Sequence, residues 1–196
     1  YIGGLIGFNT AYSTINGSYA TGDVEATGYF VGGLVGQNTS YSNLGNTTAS
    51  YATGNVTGAY YVGGLVGYNT THSDITSSST SGEISGSSYV GGLVGQNSGA
   101  TIQNNSYASG IITGNSGSYY VGGLVGLNTS NGSILNSYVT GVTVSGANQV
   151  GGLTGENNGT VTINGAYVEN SSIVGDRDVG RLVGGKYNST LTLSNS

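Results

Sequence analysis

The stretch that decides the fold reads Phe30-Val31-Gly32-Gly33-Leu34-Val35-Gly36-Gln37-Asn38, and variants of it recur along the whole chain. Its leucine recurs in steps of 29, 31, 28, 31, 29 and 29 residues, at Leu5, Leu34, Leu65, Leu93, Leu124, Leu153 and Leu182. A period in this range is typical of solenoids, in which each repeat buries its apolar side against its neighbours. We therefore expect one repeat array over residues 1–196, with repeats that start near residues 1, 30, 61, 89, 120, 149 and 178.

Each repeat combines three parts that predict short strands. The glycine motif is followed by one aliphatic residue, usually ten positions after the leucine, and then by a Ser-Tyr-Ala-Thr-Gly segment such as Ser18–Gly22. Val, Ile, Tyr and Thr favour strands, and the Gly, Asn and Ser clusters favour turns. The prediction is an all-β fold: a β-solenoid, or parallel β-helix, of about six to seven repeats of 28–31 residues. We expect two or three strands per coil and a spacing of about 4.8 Å between coils.

The glycine motif itself is predicted to be one strand that is covered on both sides. Alternation places residues 31, 33 and 35 on one face and residues 30, 32, 34 and 36 on the other, and neither set is polar. Strands buried on both faces read as continuous apolar runs of this kind. The glycines would either admit another layer of backbone at close range or form corners with positive φ. The sequence leaves both roles open.

Composition excludes several classes of protein. The chain has 39 Gly and no Pro, Cys, Met or Trp, and its net charge is −5. All three cations, Arg177, Arg181 and Lys186, lie in the last repeat, so the basic face that a nucleic-acid partner requires is missing. The apolar runs are far shorter than the twenty or so residues of a membrane span. Without disulfides, the stacking of repeats must supply the stability.

Aromatic residues recur at two positions of the repeat. One column contains Tyr19, Tyr51, Tyr107, Tyr138 and Tyr167, and it is broken only at Ser79. The other contains Tyr1, Phe30, Tyr61, Tyr89 and Tyr120. Identical aromatics stack along in-register parallel strands, so we expect two ladders. The alternative is a strip of rings that binds carbohydrate.

The repeat resembles a known family. The Val-Gly-Gly-Leu-Val-Gly-x-Asn units at residues 31–38, 62–69, 90–97 and 121–128 are similar to the GLUG motif, which occurs in secreted or surface-attached bacterial adhesin-like proteins and in archaeal surface proteins. The resemblance implies an extracellular β-solenoid that serves as a stalk, an adhesin segment or an envelope component, and it brings no catalytic residues. Arg181 replaces the second glycine of the last unit, which predicts a degenerate terminal coil and a possible cap.

Few residues could carry catalysis or bind a metal. His72 is the only histidine and could pair with Asp74, but its repeat position holds Tyr12 and Tyr41 elsewhere, which favours an outer structural residue. Asp23 and Glu25 would share a strand face, as the paired carboxylates of a glycoside hydrolase do. The weak calcium candidate is the pair Asp176 and Asp178, for which a polar cap or a docking contact is the alternative. No cofactor is expected.

Hydroxyl and amide side chains suggest modification or adhesion. Eleven asparagines begin Asn-x-Ser/Thr triplets and are candidate N-glycosylation sites: Asn16, Asn38, Asn46, Asn55, Asn69, Asn104, Asn128, Asn131, Asn158, Asn170 and Asn188. A hydroxyl row is predicted from Thr21, Thr53, Ser81, Ser109 and Thr140. Ice-binding solenoids use paired threonine rows, and here only one such row is found.

These observations predict a non-catalytic, extracellular structural protein, a self-assembling subunit of a cell-surface sheath, fibre or surface layer. Its partners would be copies of itself or related surface subunits, joined through coil ends or through tyrosine-bearing faces. The start at Tyr1, inside a repeat, further suggests a processed product or an excerpt. The first alternative is an adhesin that presents Tyr, Thr and Asn rows to glycans or, less readily, to ice. The second is a polysaccharide-degrading β-helix enzyme that uses Asp23 and Glu25.

Overall fold

The computed structural model describes residues 1–104, 106–188 and 190–194, and within them the chain is a β-solenoid. All strand pairs of this part are parallel, and they form three sheets that run along the stack of coils. Strands from seven successive turns pair in order in two of the sheets, so the solenoid has about seven turns. The predicted fold class is confirmed.

Sheets B and C each take one strand from every turn. Sheet B holds the Val-Gly-x-Asn half of the motif, in the strands Ile6–Asn9, Val35–Asn38, Val66–Thr70, Val94–Ser98, Val125–Thr129, Thr154–Asn158 and Val183–Tyr187. Sheet C holds the isolated aliphatic residue of each repeat, in the strands Thr14–Ile15, Asn43–Leu44, Ile75–Thr76, Thr101–Gln103, Ser133–Leu135, Val161–Asn164 and Leu191–Ser194.

Sheet A contains the remaining strands, which lengthen along the chain. Its strands are Ile2–Gly3, Tyr19–Ala20, Val24–Glu25, Tyr29–Gly32, Tyr51–Ala52, Val56–Thr57, Tyr60–Gly63, Ser79–Thr80, Ile84–Gly91, Tyr107–Gly122, Tyr138–Gly151, Tyr167–Glu169 and Ser172–Gly180. Early turns divide this side among separate short strands, whereas the strand Tyr107–Gly122 runs through it without a break. The number of strands per turn therefore falls from the early turns to those of Tyr107–Gly122 and Tyr138–Gly151, and it rises again where Tyr167–Glu169 and Ser172–Gly180 are separate. The early turns exceed the predicted two or three.

Equivalent residues of successive repeats lie directly over one another. Val62 pairs with Val31 on one side and with Val90 on the other. In sheet B, Asn69 lies between Asn38 and Asn97 in the same way. This register confirms the alignment on the repeated leucine.

The core is a stack of similar apolar layers, one from each turn. The motif leucine is fully buried in five consecutive turns, at Leu34, Leu65, Leu93, Leu124 and Leu153. The aliphatic residue of sheet C faces it from the opposite side and is also fully buried, at Leu44, Ile75, Ile102, Ile134 and Ile163. Burial of such a side chain contributes about 1.5–3 kcal/mol, so the layers reinforce one another along the stack.

The expectation of one continuous strand through the glycine motif was wrong. The chain bends at Gly33 and Leu34, so that residues 29–32 belong to sheet A and residues 35–38 to sheet B. Strict alternation also fails, because Phe30 has a left-handed backbone with φ of 54°, as do its equivalents in the following turns. The apolar character of both faces arises because the two halves of the motif pack against each other.

Of the two roles left open for the motif glycines, close backbone approach is the one observed. A Cβ on Gly36 would lie 2.6 Å from the amide nitrogen of Ile2 and 2.9 Å from the carbonyl oxygen of Phe30. A Cβ on Gly33 would collide with the carbonyl oxygen of Gly64 in the next turn. Atoms this close leave no room for a methyl group, so only glycine fits at these two positions.

We predict that Gly63→Ala destabilises the solenoid by about 1–3 kcal/mol or more, the usual cost of overpacking. A Cβ at Gly63 would collide with the carbonyl oxygen of Val66 and lie 2.8 Å from the amide nitrogen of Gly95. Gly22→Ala is the matched control, because nothing lies within 4 Å of a Cβ at that exposed turn. Chemical denaturation followed by circular dichroism measures both, and equal effects would contradict the role given to the motif glycines.

Candidate functional site

The predicted ladder at the aromatic position of the motif is present and continuous. The ring centroids of Tyr1, Phe30, Tyr61, Tyr89 and Tyr120 follow one another at 5.3, 4.9, 4.4 and 5.1 Å. Spacings of this size are those of adjacent strands, so each ring packs on the ring of the next turn. The ladder ends at Gln149 and Asp178, which occupy the equivalent positions of the last turns.

Two shorter columns lie beside this ladder. The left-handed residue interrupts the alternation of the strand, so the preceding residue also lies outside, and Tyr29 stacks on Tyr60 at 5.3 Å. On the other flank Phe8 contacts Tyr1 at 5.0 Å and Tyr68 contacts Phe30 at 5.2 Å. We call these ten rings the aromatic face: Tyr1, Phe8, Tyr29, Phe30, Tyr60, Tyr61, Tyr68, Tyr89, Tyr119 and Tyr120. The sequence reasoning recognised only the central column.

At Tyr61 and Tyr120 the neutral phenol is favoured, because the pKa of each lies above the ordinary value of 10.0. Burial raises the pKa of Tyr61, and the neighbouring Tyr89 raises it further. Burial also raises the pKa of Tyr120, with the negative charge of Glu156 acting in the same direction. The central column therefore presents ring edges and, at Tyr61 and Tyr120, uncharged hydroxyls.

The second predicted ladder is present in two segments. Tyr19 stacks on Tyr51 at 5.2 Å, and Tyr107, Tyr138 and Tyr167 stack at 5.2 and 5.1 Å. Between the segments lies Ser79, which is in register with Tyr51 on one side and Tyr107 on the other. The sequence thus located both the column and its break.

A ladder of asparagines, which sequence reasoning missed, runs through the interior. Asn9, Asn38, Asn69 and Asn97 each donate a hydrogen bond from Nδ2 to Oδ1 of the next asparagine, at 2.8–3.0 Å. The second Nδ2 proton of Asn38 goes to the carbonyl oxygen of Ser42, and that of Asn69 to Ser73, each at 2.8 Å. The signal was available, because the asparagine recurs from Asn9 to Asn157 whether or not a sequon follows, and only Lys186 breaks the series.

Three candidate glycosylation sites were wrong for this reason. Asn38, Asn69 and Asn128 are fully buried, and the amide nitrogen of each donates a hydrogen bond to a backbone carbonyl oxygen. A glycan on Nδ2 could not be accommodated in the folded protein. The other eight candidates lie on the outside and stay predictions: Asn16, Asn46, Asn55, Asn104, Asn131, Asn158, Asn170 and Asn188.

The candidate acid–base residues take part in the stacking pattern. His72 stacks on Tyr41 at 5.2 Å and continues the column that Tyr12 begins. Burial raises the pKa of the neighbouring Asp74, while hydrogen bonds from Thr101 and the charge of His72 oppose that rise. His72 is thus an exposed member of a stacked column on the outside of the solenoid.

The carboxylates considered for hydrolysis, Asp23 and Glu25, both lie on the outside of the solenoid. Asp23 and Glu25 flank the buried Val24, and both are exposed. Asp23 Oδ1 accepts a hydrogen bond from the backbone amide of Asn55 at 2.8 Å. Asn55 Oδ1 accepts in turn from the amide of Glu83 at 3.0 Å. Asp23 is thus the first member of a column of side chains that bind backbone amides of the next turn.

The calcium candidates lie at the exposed C-terminal part of sheet A. Asp176 and Asp178 are exposed, and Asp178 Oδ2 accepts a hydrogen bond from Gln149 Nε2 at 3.0 Å. Within the described ranges no group of three or more His, Cys, Asp or Glu could hold a metal ion. The same ranges contain no helix long and apolar enough to cross a membrane.

The carboxylate of Glu156 lies in a buried position that disfavours its charged form. Glu156 pairs in register with Leu127 of the preceding turn and is only 8% exposed. Burial raises its pKa, and the negative charge of Asp178 raises it further. The folded state therefore binds this proton more tightly than the unfolded chain does. As the pH rises from the ordinary carboxyl value of 4.5 through the raised one, the free energy of unfolding falls.

We predict that Glu156→Gln stabilises the protein at pH 7.5 and has little effect at pH 4, where the carboxyl is protonated in both states. Gln96 occupies the equivalent position two turns earlier, so the amide fits. The exposed Glu169→Gln is the control. Thermal unfolding and hydrogen exchange of residues 154–158 measure the effect, and a gain that is the same at both pH values would show that the carboxylate charge is not its cause.

We also predict that Asn69→Ala destabilises the stack by about 1–3 kcal/mol for each buried group that loses its partner. The change removes the acceptor for Asn38 and the donors to Asn97 and to the carbonyl of Ser73. Asn46→Ala, on an exposed turn, is the control. Urea denaturation compares the two, and a neutral Asn69→Ala would refute the structural role of the ladder.

The solenoid and its ladders define a β-solenoid repeat protein. Three stretches, residues 1–25, 58–85 and 117–145, match the family model described as the GLUG motif. The chain thus carries GLUG repeats, which confirms the resemblance read from its sequence. A search of curated proteins and a search of solved structures found no match.

The repeat extends beyond the matched stretches. Val31, Val90 and Val150 belong to turns outside them, yet each pairs in register with the valine of a neighbouring matched turn. GLUG repeats folded as a β-solenoid fit a structural or surface repeat protein.

Proposed function

We propose that this chain is a non-catalytic structural element of the cell exterior, a building block of a sheath, fibre or surface layer. It assembles with copies of itself through the aromatic face. The stacked rings of that face are the observation that carries the proposal.

The repetition supports a mechanical role. From turn to turn the same leucine, asparagine and aromatic positions make the same contacts at strand spacing. A catalytic site is assembled from residues with different tasks, whereas identical rungs distribute load and stability evenly along a shaft. The interior ladder adds hydrogen bonds that a lateral displacement of one coil would break.

The aromatic face is exposed to an extent that favours contact with a partner. Tyr1 is 61% exposed, Tyr29 is 59%, Tyr119 is 49% and Phe8 is 47% exposed. Large side chains grouped on one side of a protein mark an interaction surface. Tyrosine is favoured in such surfaces because it combines apolar area with a hydroxyl and loses little conformational entropy.

A second copy of the chain suits this face. All the Lys and Arg residues of the chain lie in the last repeat, so the face offers none of them to an acidic partner. Two copies would each present rings about 4.8 Å apart, so the ring edges and hydroxyls of one copy can meet those of the other at matching intervals.

We predict that the purified protein forms filaments or sheets visible by electron microscopy. The double variant Tyr29→Ser with Tyr60→Ser should need at least a tenfold higher protein concentration to assemble. Sedimentation velocity measures the same loss in solution. The physical reason is the removal of two exposed rings from the centre of the aromatic face.

The control is Tyr19→Ser with Tyr167→Ser, which removes two exposed tyrosines from the other ladder. This pair should assemble like the unaltered protein. A stable monomer of the unaltered protein at high concentration would refute the proposed function, and an equal loss in both pairs would refute the role of the aromatic face.

A further inference from the structure

Stacking restricts where a ladder can bind a ring-shaped ligand. A sugar packs its C–H groups on the face of an aromatic ring, where the π-system is negative. In the middle of a ladder both faces are already covered, as for Tyr138 between Tyr107 and Tyr167. Such a ring offers only its edge and its hydroxyl. A continuous ladder is therefore a poor sugar platform, although its side chains are those that sugar-binding sites use.

The break at Ser79 is different, because it leaves two ring faces uncovered. Tyr51 is covered on one side by Tyr19, and Tyr107 is covered on the side away from Ser79 by Tyr138. Both segments are nearly parallel stacks, with interplanar angles of 6° and 9°. The remaining faces of Tyr51 and Tyr107 look toward each other across the turn that contains Ser79.

The space between them has the height of one ring. Two strand steps separate Tyr51 from Tyr107, which places their rings roughly 10 Å apart. Elsewhere in the same column one phenol fills that interval, as Tyr138 does. A flat six-membered ring can enter at Ser79 and contact a ring on each side. The small side chain of Ser79 forms the floor of this slot and supplies a hydroxyl.

The rim of the slot is polar and uncharged. Two residues further along the chain from each column position lie Thr53, Ser81 and Ser109, of which Thr53 and Ser81 are exposed. Exocyclic hydroxyls of a sugar can reach groups at that distance, about 7 Å along a strand. Lys and Arg are confined to the last repeat, so no cation is at hand to recognise an acidic sugar.

A similar break in the neighbouring column is less regular. Ser88 is in register with Tyr60 and Tyr119, but the pairing with the following turn shifts between Gly86 and Ser88. The pairing around Ser79 shows no such shift. The slot at Ser79 is therefore the better-formed one.

We propose that the slot between Tyr51 and Tyr107 binds one neutral pyranose ring, such as a β-linked glucose unit of a glycan. The sugar lies between the two phenol rings, with the hydroxyls of Ser79 and of the rim around its edge. This is a binding site for a cell-surface carbohydrate on a shaft that otherwise presents covered rings.

The probe is methyl β-D-glucopyranoside, titrated into the full chain and followed by NMR. The ring currents of two phenols should shift the axial sugar protons on both faces upfield, and saturation of the tyrosine resonances should transfer to them. Tyr51→Ala leaves one ring face and should weaken binding about three- to tenfold, the value of one aromatic contact.

The decisive variant is Ser79→Tyr, which places the residue of the other turns into the slot. It should abolish the sugar signal while the protein stays folded with an unchanged or higher melting temperature, because the ladder becomes continuous. Tyr167→Ala is the control in the same column, away from the slot, and it should bind like the unaltered protein. None of these changes touches the aromatic face, so assembly should be unaffected.

Two outcomes would overturn the proposal. One is a sugar signal that persists in Ser79→Tyr, because the binding would then lie elsewhere. The other is saturable binding of p-cresol at the slot without binding of the glucoside. In that case the occupant is an aromatic side chain of another protein.

Discussion

The structure depends on backbone packing against backbone at the glycines of the repeated motif. Gly64 faces the carbonyl of Gly92 in the next turn, and Gly123 faces that of Gly152, with no space for a side chain in either place. The requirement for glycine in one turn is therefore set by the backbone of the turn that follows it. Gly152 faces the carbonyl of Arg181, but Arg181 is itself exposed, with no described turn over it. A side chain at this position would prevent another turn from packing over it as Gly92 packs over Gly64.

Close packing alone would not fix the register, and the interior asparagines supply that specificity. A slip of one residue would leave buried amides without partners, at a cost of about 1–3 kcal/mol each. The point where the ladder stops illustrates this. Asn157 is paired in register with Lys186, and both polar atoms of its buried side chain lack a hydrogen-bond partner among the described residues. Hydrogen bonding inside the solenoid is thus weakest at Asn157, where the column of asparagines is followed by Lys186.

Much of this architecture could be predicted from periodicity, because identical positions in successive repeats must meet when the coils stack. That argument gave the fold class, the register, both tyrosine columns and the break at Ser79. It could not give the left-handed backbone of Phe30 or the bend at Gly33, since both depend on how two halves of one motif pack together. Asn38 was misread for a related reason. Its triplet is a surface signal, whereas its side chain points inward, and only the backbone path distinguishes the two.

The ladders stabilise the shaft and, in doing so, limit its chemistry. Each stacked pair contributes about 0.5–1.5 kcal/mol beyond burial. A serine in the column gives up two such contacts, at a position where the neighbouring turns show that tyrosine fits, with Tyr107, Tyr138 and Tyr167 in one unbroken stack. Stability alone offers no reason for Ser79. Binding of a flat ligand does explain the serine, because such a ligand needs the faces of Tyr51 and Tyr107 that a tyrosine at position 79 would cover.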